Sequence, residues 1–152
     1  MQNTYYITTP IYYVNDTPHI GHAYTSVAAD VIARFMRLSD RDVMFLTGTD
    51  EHGQKVEKSA IRQNIDPQTF TDSMSEVFRK LMWDMNISND DFIRTTEGRH
   101  KQAVGGLWQR LLDSGNIYLG SYSGWYSMRD EAFYNESELT PDRLAPTGAP
   151  VE

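Results

Sequence analysis

The chain has 152 residues, a formal net charge of −7 and no cysteine. This length suits one domain, or one and a fraction, and the lack of cysteine excludes disulfides and thiolate metal sites and favours a cytoplasmic location. No apolar stretch reaches the roughly 18 to 20 residues that a bilayer span needs, so no membrane partner is expected. The acidic balance argues against a chain whose main task is to grip nucleic acid.

The first elements predicted along the chain are a strand and a helix. Residues 5–9 are β-branched or aromatic, which indicates a short buried strand. A loop is expected at 11–16, followed by a helix with Thr17 as N-cap and Pro18 as its first residue. Apolar residues then recur at helical spacing. They are Ile20, Ala23, Tyr24, Val27, Val31, Phe35 and Leu38.

Further strands and helices alternate up to residue 114. Strands are predicted at 43–46 and 92–94, and helices at 54–64, from Asp66–Pro67 onward, and at about 100–114. The helix after Pro67 carries an apolar stripe that favours core packing over a ligand surface. Its members are Phe70, Met74, Val77, Phe78, Leu81, Met82 and Met85. This alternation predicts an α/β fold in which helices pack on a parallel sheet.

The pattern changes after residue 115. Residues 117–122 and 124–126 form short aromatic runs that are typical of strands, and 140–152 have no periodicity. A domain boundary is therefore expected near residue 115.

Two of the four histidines, His19 and His22, lie three residues apart at the start of the predicted first helix and share a helix face. The first turn of a helix offers unpaired N–H groups to a phosphate, and Gly21 would let a base or ribose approach the backbone. From spacing alone three interpretations stay open. The pair could bind phosphate, form half of a metal site completed by Asp50 or His52, or be solvated without a role.

Asp50 directly follows the second predicted strand. Ligands of open α/β sheets bind at the carboxyl ends of the strands, where the first helix also begins. A carboxylate there could receive an ammonium group or hold a cation, or it could simply cap the next helix.

Three blocks of sequence resemble the class I aminoacyl-tRNA synthetases in their methionine-specific form. The blocks are TPIYYVNDTPHIGHAYT at 9–25, FLTGTDEHGQK at 45–55 and GWYSMRDEAFY at 124–134. They occur in the order and spacing of the family and cover essentially the whole chain. The resemblance implies that residues 1–115 are the N-terminal half of a Rossmann-like, nucleotide-binding catalytic domain, and that 116–152 begin a β-rich connective insertion.

The resemblance also implies roles for single residues. Those implied for ATP are His19, Gly21 and His22, and those implied for methionine are Ile11, Tyr13 and Asp50. Both histidines would be catalytic because they stabilise the transition state, and the glycine would let the adenosine lie close. The aspartate would pair with the α-ammonium group, while the isoleucine and tyrosine would shape the pocket for the thioether side chain.

The chemistry implied by this family is an ATP-dependent, AMP-forming ligation. Methionine and ATP, which enters with Mg²⁺ as a substrate, would form methionyl-adenylate, and the methionyl group would then pass to tRNA. The implied partners are methionine, ATP, tRNA and the rest of a parent synthetase.

The chain departs from the family pattern in two places. Many relatives carry a zinc-binding C-x-x-C pair where this chain has Ser127 and Asp130, with Ala145 near a later cysteine, so the branch without zinc is implied and no metal is expected. The lysine-rich Lys-Met-Ser-Lys-Ser-type loop and the helical anticodon-binding domain also have no counterpart among these residues. We therefore expect an incomplete chain that is inactive alone.

Two other classes of function remain open from the residues. One is a metal-dependent hydrolase that uses His19, His22, Asp50 and His52. The other is a nucleotide- or amino-acid-binding module without turnover.

Overall fold

The computed structural model describes residues 3–152, which belong to two compact units, one ending at Leu107 and the other running from Trp108 to Glu152. The strands of the first unit are β1 (Thr4–Thr8), β2 (Tyr12–Tyr13), β3 (Asp42–Asp50) and β4 (Asp91–Arg94). Its helices are α1 (Ile20–Leu38), α2 (Gln54–Arg62) and α3 (Pro67–Asp84). Helix α4 (Gly98–Asp113) begins in the first unit and ends in the second, where β5 (Trp125–Ser127) and β6 (Ala132–Tyr134) follow. The domain boundary expected near residue 115 stays a prediction.

The sheet of the first unit is parallel and has β3 at its centre, which confirms the predicted α/β class. Strands β1 and β2 pair with successive parts of one edge of β3, and β4 pairs with the other edge. Gly48 makes the β3–β4 contact possible, because a Cβ there would lie 2.0 Å from the carbonyl oxygen of its register partner Ile93. Because all strands of this sheet are parallel, the carboxyl ends of β2, β3 and β4 lie side by side at the same end of the sheet.

Strand β2 lies in a segment for which the sequence predicts only a loop. The predicted second strand also continues past residue 46 to Asp50. The two differences have one cause, because the extra length of β3 gives Tyr12 and Tyr13 their pairing partners, Thr49 and Asp50. A two-residue strand carries too little pattern to be recognised without its neighbour.

Helix α1 buries a different face from the apolar stripe that indicates it in the sequence. Its buried residues are Ser26, Ala29, Asp30 and Ala33, and the two alanines pack with Phe45 of β3. Small side chains let the helix approach the sheet closely. Most of the stripe itself is exposed in this chain, for example at Ile20 (87%) and Phe35 (62%).

Helix α3 agrees with its prediction. The carboxylate of Asp66 accepts a hydrogen bond from the Thr69 N–H at 3.0 Å, as an N-cap does, and proline follows as the first helical residue. Phe70, Phe78 and Met82 are buried in a cluster that also contains Tyr12 of β2. Val77 and Met85, at the margins of the stripe, are partly exposed.

The second unit contains an antiparallel pair of strands, β5 and β6, in which Trp125 pairs with Tyr134. The strand-like run predicted at 117–122 is wrong, since these residues form no strand. Tyr118 and Leu119 are almost fully exposed, so the aromatic composition that suggested a strand serves no pairing here. Within residues 3–152, no helix is long and apolar enough to cross a membrane.

Candidate active site

The side chains of His19 and His22 together cap the N-terminus of α1. His19 is the N-cap, and its Nδ1 accepts a hydrogen bond from the N–H of Gly21 at 3.1 Å. Nδ1 of His22 accepts one in return from the N–H of His19 at 3.0 Å. The sequence prediction that Thr17 caps this helix is therefore wrong. The helix starts two residues later because the imidazoles satisfy donors that Thr17 was expected to satisfy.

This reciprocal cap fixes the tautomer of both imidazoles. A nitrogen that accepts a hydrogen bond carries no proton, so each neutral ring has its proton on Nε2. Burial, followed by the charge of the adjacent His19, lowers the pKa of His22, and this favours the neutral form that the cap requires. The rings of the pair stack with their centroids 3.9 Å apart. His19 and His22 thus offer two neighbouring Nε2–H donors.

The same contacts change the set of backbone N–H groups that could bind a phosphate at the start of α1. The N–H of Gly21 is occupied by His19, so this backbone donor is not free for a ligand as the sequence suggests. A Cβ on Gly21 would lie 2.9 Å from Cε1 of His19. Any other residue here would therefore push the capping ring aside, whether or not a ligand also approaches this position.

Strand β2 brings the residues implied for methionine together. Tyr13 is the register partner of Asp50, the last residue of β3. Ile11 and Tyr13 are partly exposed, whereas Tyr12 between them is buried, because successive side chains of an extended segment point to opposite sides. A Cβ on Gly53, which has a φ of +107°, would lie 3.8 Å from the Tyr13 hydroxyl. Ile11 and Tyr13, the two residues implied for the methionine side chain, thus lie partly exposed near the end of β3, where Asp50 is located.

A buried ion pair holds the chain directly after Asp50. The Glu51 side chain is fully buried, and its carboxylate accepts bonds from Nε and Nη2 of Arg94 at 2.7 and 2.9 Å and from the Thr49 hydroxyl at 2.7 Å. The Thr95 hydroxyl binds the N–H of Glu51. The Glu51 carboxylate, then Asp72, raises the pKa of Arg94, although burial opposes this effect. The network joins the ends of β3 and β4, which anchors the segment that carries Asp50.

Sequence reasoning missed this network because Glu51 lies more than 40 residues from Arg94 and Thr95 in the chain. A single acidic residue beside Asp50 gives no indication that it is buried. The sequence signal is indirect: Arg94 ends a predicted strand, and a charge that becomes buried there needs a partner.

The fourth candidate of the alternative metal site, His52, turns toward β4. Its Nε2 lies 3.3 Å from the carbonyl oxygen of Thr95. Among residues 3–152, no three or more His, Asp or Glu side chains are grouped so that they could hold a metal ion.

In the second unit, a hydrogen bond links Ser127 and Asp130, the positions that by resemblance correspond to cysteines of a zinc-binding branch. The Ser127 hydroxyl accepts from the N–H of Asp130 at 3.3 Å. The Asp130 carboxylate accepts from the hydroxyls of Thr147 and Tyr134. These bonds, of which the one from Thr147 contributes most, lower the pKa of Asp130. A polar network of uncharged hydroxyls and one carboxylate therefore ties this turn to the chain near residue 147.

We predict that the purified chain holds well below one equivalent of zinc after dialysis, measured by elemental analysis. It has no thiolate, and among its imidazoles His19 and His22 already use Nδ1 for capping. A sample given equimolar zinc before dialysis serves as the control. Retention of about one equivalent would contradict the prediction and favour the metal-dependent hydrolase.

Comparison with known proteins places this geometry in a family. The family model for class I tRNA synthetases (M) matches residues 5–142. The chain is 77% identical over all 152 residues to the methionine–tRNA ligase of Rickettsia typhi, and 56% identical over 137 residues to that of Bacillus subtilis. It covers 30% and 21% of these relatives.

A solved structure agrees with the sequence comparisons. The Mycobacterium tuberculosis methionyl-tRNA synthetase in complex with methionyl-adenylate superposes on 98% of this chain, with a TM-score of 0.89 and 50% identity, and the match spans 30% of that protein. The matched family model includes β1 through β6 almost entirely, together with both histidines and Asp50. The chain belongs to the class I tRNA synthetases (M).

Proposed function

We propose that this chain provides the N-terminal half of the nucleotide-binding catalytic domain of a methionine–tRNA ligase, in residues 1–115, and the beginning of its connective insertion, in residues 116–152. The observation that carries the proposal is that Nδ1 of both His19 and His22 accepts a backbone hydrogen bond, which leaves Nε2 of each neutral ring as a donor. The His22 ring contacts Tyr12, whose neighbour Tyr13 is the register partner of Asp50 at the end of β3. Because the chain spans about 30% of the length of its Rickettsia relatives, the complete activity requires further residues.

The proposed reaction activates methionine. An oxygen of the methionine carboxylate attacks the α-phosphorus of ATP, a new O–P bond forms, and the bond to the β-phosphate oxygen breaks, so that pyrophosphate leaves and methionyl-adenylate remains. Mg²⁺ enters with ATP as part of the substrate. The carboxylate nucleophile is already ionised, so no residue needs to act as a general base. A hydroxyl of the terminal ribose of tRNA, which is held mostly by other parts of the enzyme, then attacks the methionyl carbonyl carbon. The ester bond forms, the bond from that carbon to the phosphate oxygen breaks, and AMP and the hydroxyl proton leave.

In this proposal, the histidines act on the phosphates. As in other phosphoryl transfers, the protein contributes orientation and stabilisation of charge. The Nε2–H groups of His19 and His22 donate to phosphate oxygens on which negative charge builds up as pyrophosphate departs. Because the reciprocal cap already fixes both rings, little reorganisation is needed at that moment. Gly21 lies between them and lets the adenosine approach.

The methionine side of the proposal uses Ile11, Tyr13 and Asp50. The carboxylate of Asp50 pairs with the α-ammonium group, and its place beside Tyr13 in the register supports this assignment. Ile11 and Tyr13 share one side of the extended segment and offer the aliphatic and aromatic walls that a thioether prefers. The buried Glu51–Arg94 pair keeps Asp50 in place.

The experiment that tests this proposal uses a complete enzyme. In a chimera, this chain replaces the matching 152 residues of the Rickettsia typhi methionine–tRNA ligase, to which it is 77% identical. We expect methionine-dependent exchange of pyrophosphate into ATP. In the chimera, Asp50→Asn should raise KM for methionine by about 10- to 100-fold, because a charge-assisted hydrogen bond contributes roughly 1.5 to 3 kcal/mol, while KM for ATP changes little.

The matched control for that variant is Asp84→Asn, which removes an exposed carboxylate paired with Lys80 at the end of α3. It should leave both constants unchanged. If Asp50→Asn binds methionine as well as the parent chimera does, the role assigned to Asp50 is wrong.

A further inference from the structure

His22 is enclosed by two aromatic rings from outside its own helix. The ring of Tyr12, on β2, meets it edge to face with the centroids 4.9 Å apart, and the ring of Phe78, on α3, does the same at 5.2 Å. Tyr12 and Phe78 are themselves nearly parallel, at an interplanar angle of 20°. Both are buried. His22 therefore meets two rigid surfaces that share one orientation, and it stacks on His19 as well.

The hydroxyl of Tyr12 adds a polar link to the same turn of α1. Its oxygen lies 2.8 Å from the hydroxyl oxygen of Ser26, and it donates to the carbonyl oxygen of His22 at 3.4 Å. Ser26 is fully buried. This link fastens the first turns of α1 to β2, so the backbone of His22 and its ring are held by the same tyrosine.

These contacts leave the His22 ring one nitrogen that can bind a ligand, Nε2. Nδ1 is occupied by the His19 N–H, the aromatic rings restrict its rotation, and Nε2 remains as the donor. We propose that Tyr12 and Phe78 are positioning residues that hold His22 in the orientation and neutral form in which Nε2–H reaches a phosphate. This inference rests on the proposed function, since it assumes that His22 acts on ATP.

Tyr12 also connects the two halves of the site. It lies between Ile11 and Tyr13, which the proposed function assigns to methionine, and it contacts His22, which that function assigns to ATP. The packing of one buried side chain thus sets the distance between the two substrates' binding residues. Effective catalysis depends strongly on such alignment, and a displacement of about 1 Å can lower a rate by roughly 100-fold.

The test compares four variants in the chimera by steady-state pyrophosphate exchange. Tyr12→Ala and Phe78→Leu remove one surface each and should lower kcat by about 10- to 100-fold, with KM for methionine within about threefold of the parent. Tyr12→Phe keeps the ring and loses the hydroxyl, so it should retain most of the activity that Tyr12→Ala loses. The matched control is Phe70→Leu, which alters an equally buried phenylalanine of the same helix and core cluster.

A pH profile of kcat separates positioning from a general loss of structure. The groups that face the His22 ring are the His19 imidazole and the Tyr12 phenol, and Phe78 adds no charge. Opening either aromatic surface to water should raise the pKa of His22 toward its ordinary value, since burial is the main cause of its depression. As the pH falls, His22 then becomes protonated at a higher pH than in the parent chimera. The acid limb of the profile should therefore shift to higher pH in Tyr12→Ala and Phe78→Leu and stay in place in Phe70→Leu.

Two outcomes would overturn the inference. One is an unchanged kcat in both Tyr12→Ala and Phe78→Leu, and the other is an equal loss, without a shift of the acid limb, in Phe70→Leu and Phe78→Leu. His22→Asn in the same chimera separates this failure from that of the proposed function. If His22→Asn exchanges at the parental rate, the role of His22 itself is wrong; if only His22→Asn is slow, the positioning role alone is wrong.

Discussion

In the chimera, His19→Asn and His22→Asn are each expected to lower kcat for methionine-dependent pyrophosphate exchange by about 100-fold, the cost of losing one donor that stabilises charge in a transition state. KM for methionine should change by less than about threefold, because the lost interaction is strongest in the transition state. Asparagine is informative because its amide oxygen reaches about as far as Nδ1 of histidine. The helix cap is therefore preserved while the Nε2–H donor is lost.

The converse change is glutamine, whose amide N–H reaches about as far as Nε2. His22→Gln supplies a donor but removes the acceptor of the His19 N–H bond. If catalysis depends on the donor, glutamine should retain more activity than asparagine. If asparagine retains more, the histidines matter mainly as caps, and if both asparagine variants exchange at the parental rate, neither histidine acts on the transition state.

The regular part of the fold is readable from the sequence because periodicity reports burial on one face of an element. Residues 66–85 predict α3 well, since the N-cap Asp66 and the stripe containing Phe70 and Phe78 arise within one helix. The same reasoning predicts that α1 exists but not which face it buries. The buried face consists of small residues such as Ala29 and Ala33, whose hydrophobicity is low.

The parts of the site that the sequence does not predict depend on partners distant in the chain. The cap made by His19 and His22 is local, yet it requires two imidazoles to act as acceptors, a role for which Ser, Thr, Asp and Asn are the usual signals. The burial of Glu51 depends on Arg94, 43 residues later. The pairing of Tyr12 with Phe78 depends on α3 packing beneath β2. For such residues, sequence spacing gives the identity of the group but not its surroundings.

The 152-residue chain alone is expected to catalyse no methionine-dependent pyrophosphate exchange and to charge no tRNA. Its residues include the two histidines and Asp50 but cover only 30% of the length of its Rickettsia relatives, and by resemblance the lysine-rich loop that helps hold pyrophosphate lies in the remainder. The same partial coverage should affect association. Apolar side chains of α1 such as Tyr24 (77%) and Leu38 (88%) are exposed, as is Tyr6 (61%) on the sheet, and exposed apolar side chains promote aggregation when they lie together.

Exchange assays and light scattering on the purified chain measure these two expectations separately. Mixing the chain with a polypeptide that carries the Rickettsia typhi ligase without its matching 152 residues should restore some exchange and reduce aggregation, because the added part would cover the exposed surface and supply the missing loop. Tyr24→Asp and Phe35→Asp weaken that surface without touching His19, His22 or Asp50, so they should reduce aggregation of the isolated chain and also impair complementation. Gln102→Asp, on an exposed part of α4, adds the same single negative charge and should do neither. Robust exchange by the chain alone, free of host synthetase, would mean that the chemistry requires fewer parts than the histidine pair, the carboxylate and a pyrophosphate-binding loop.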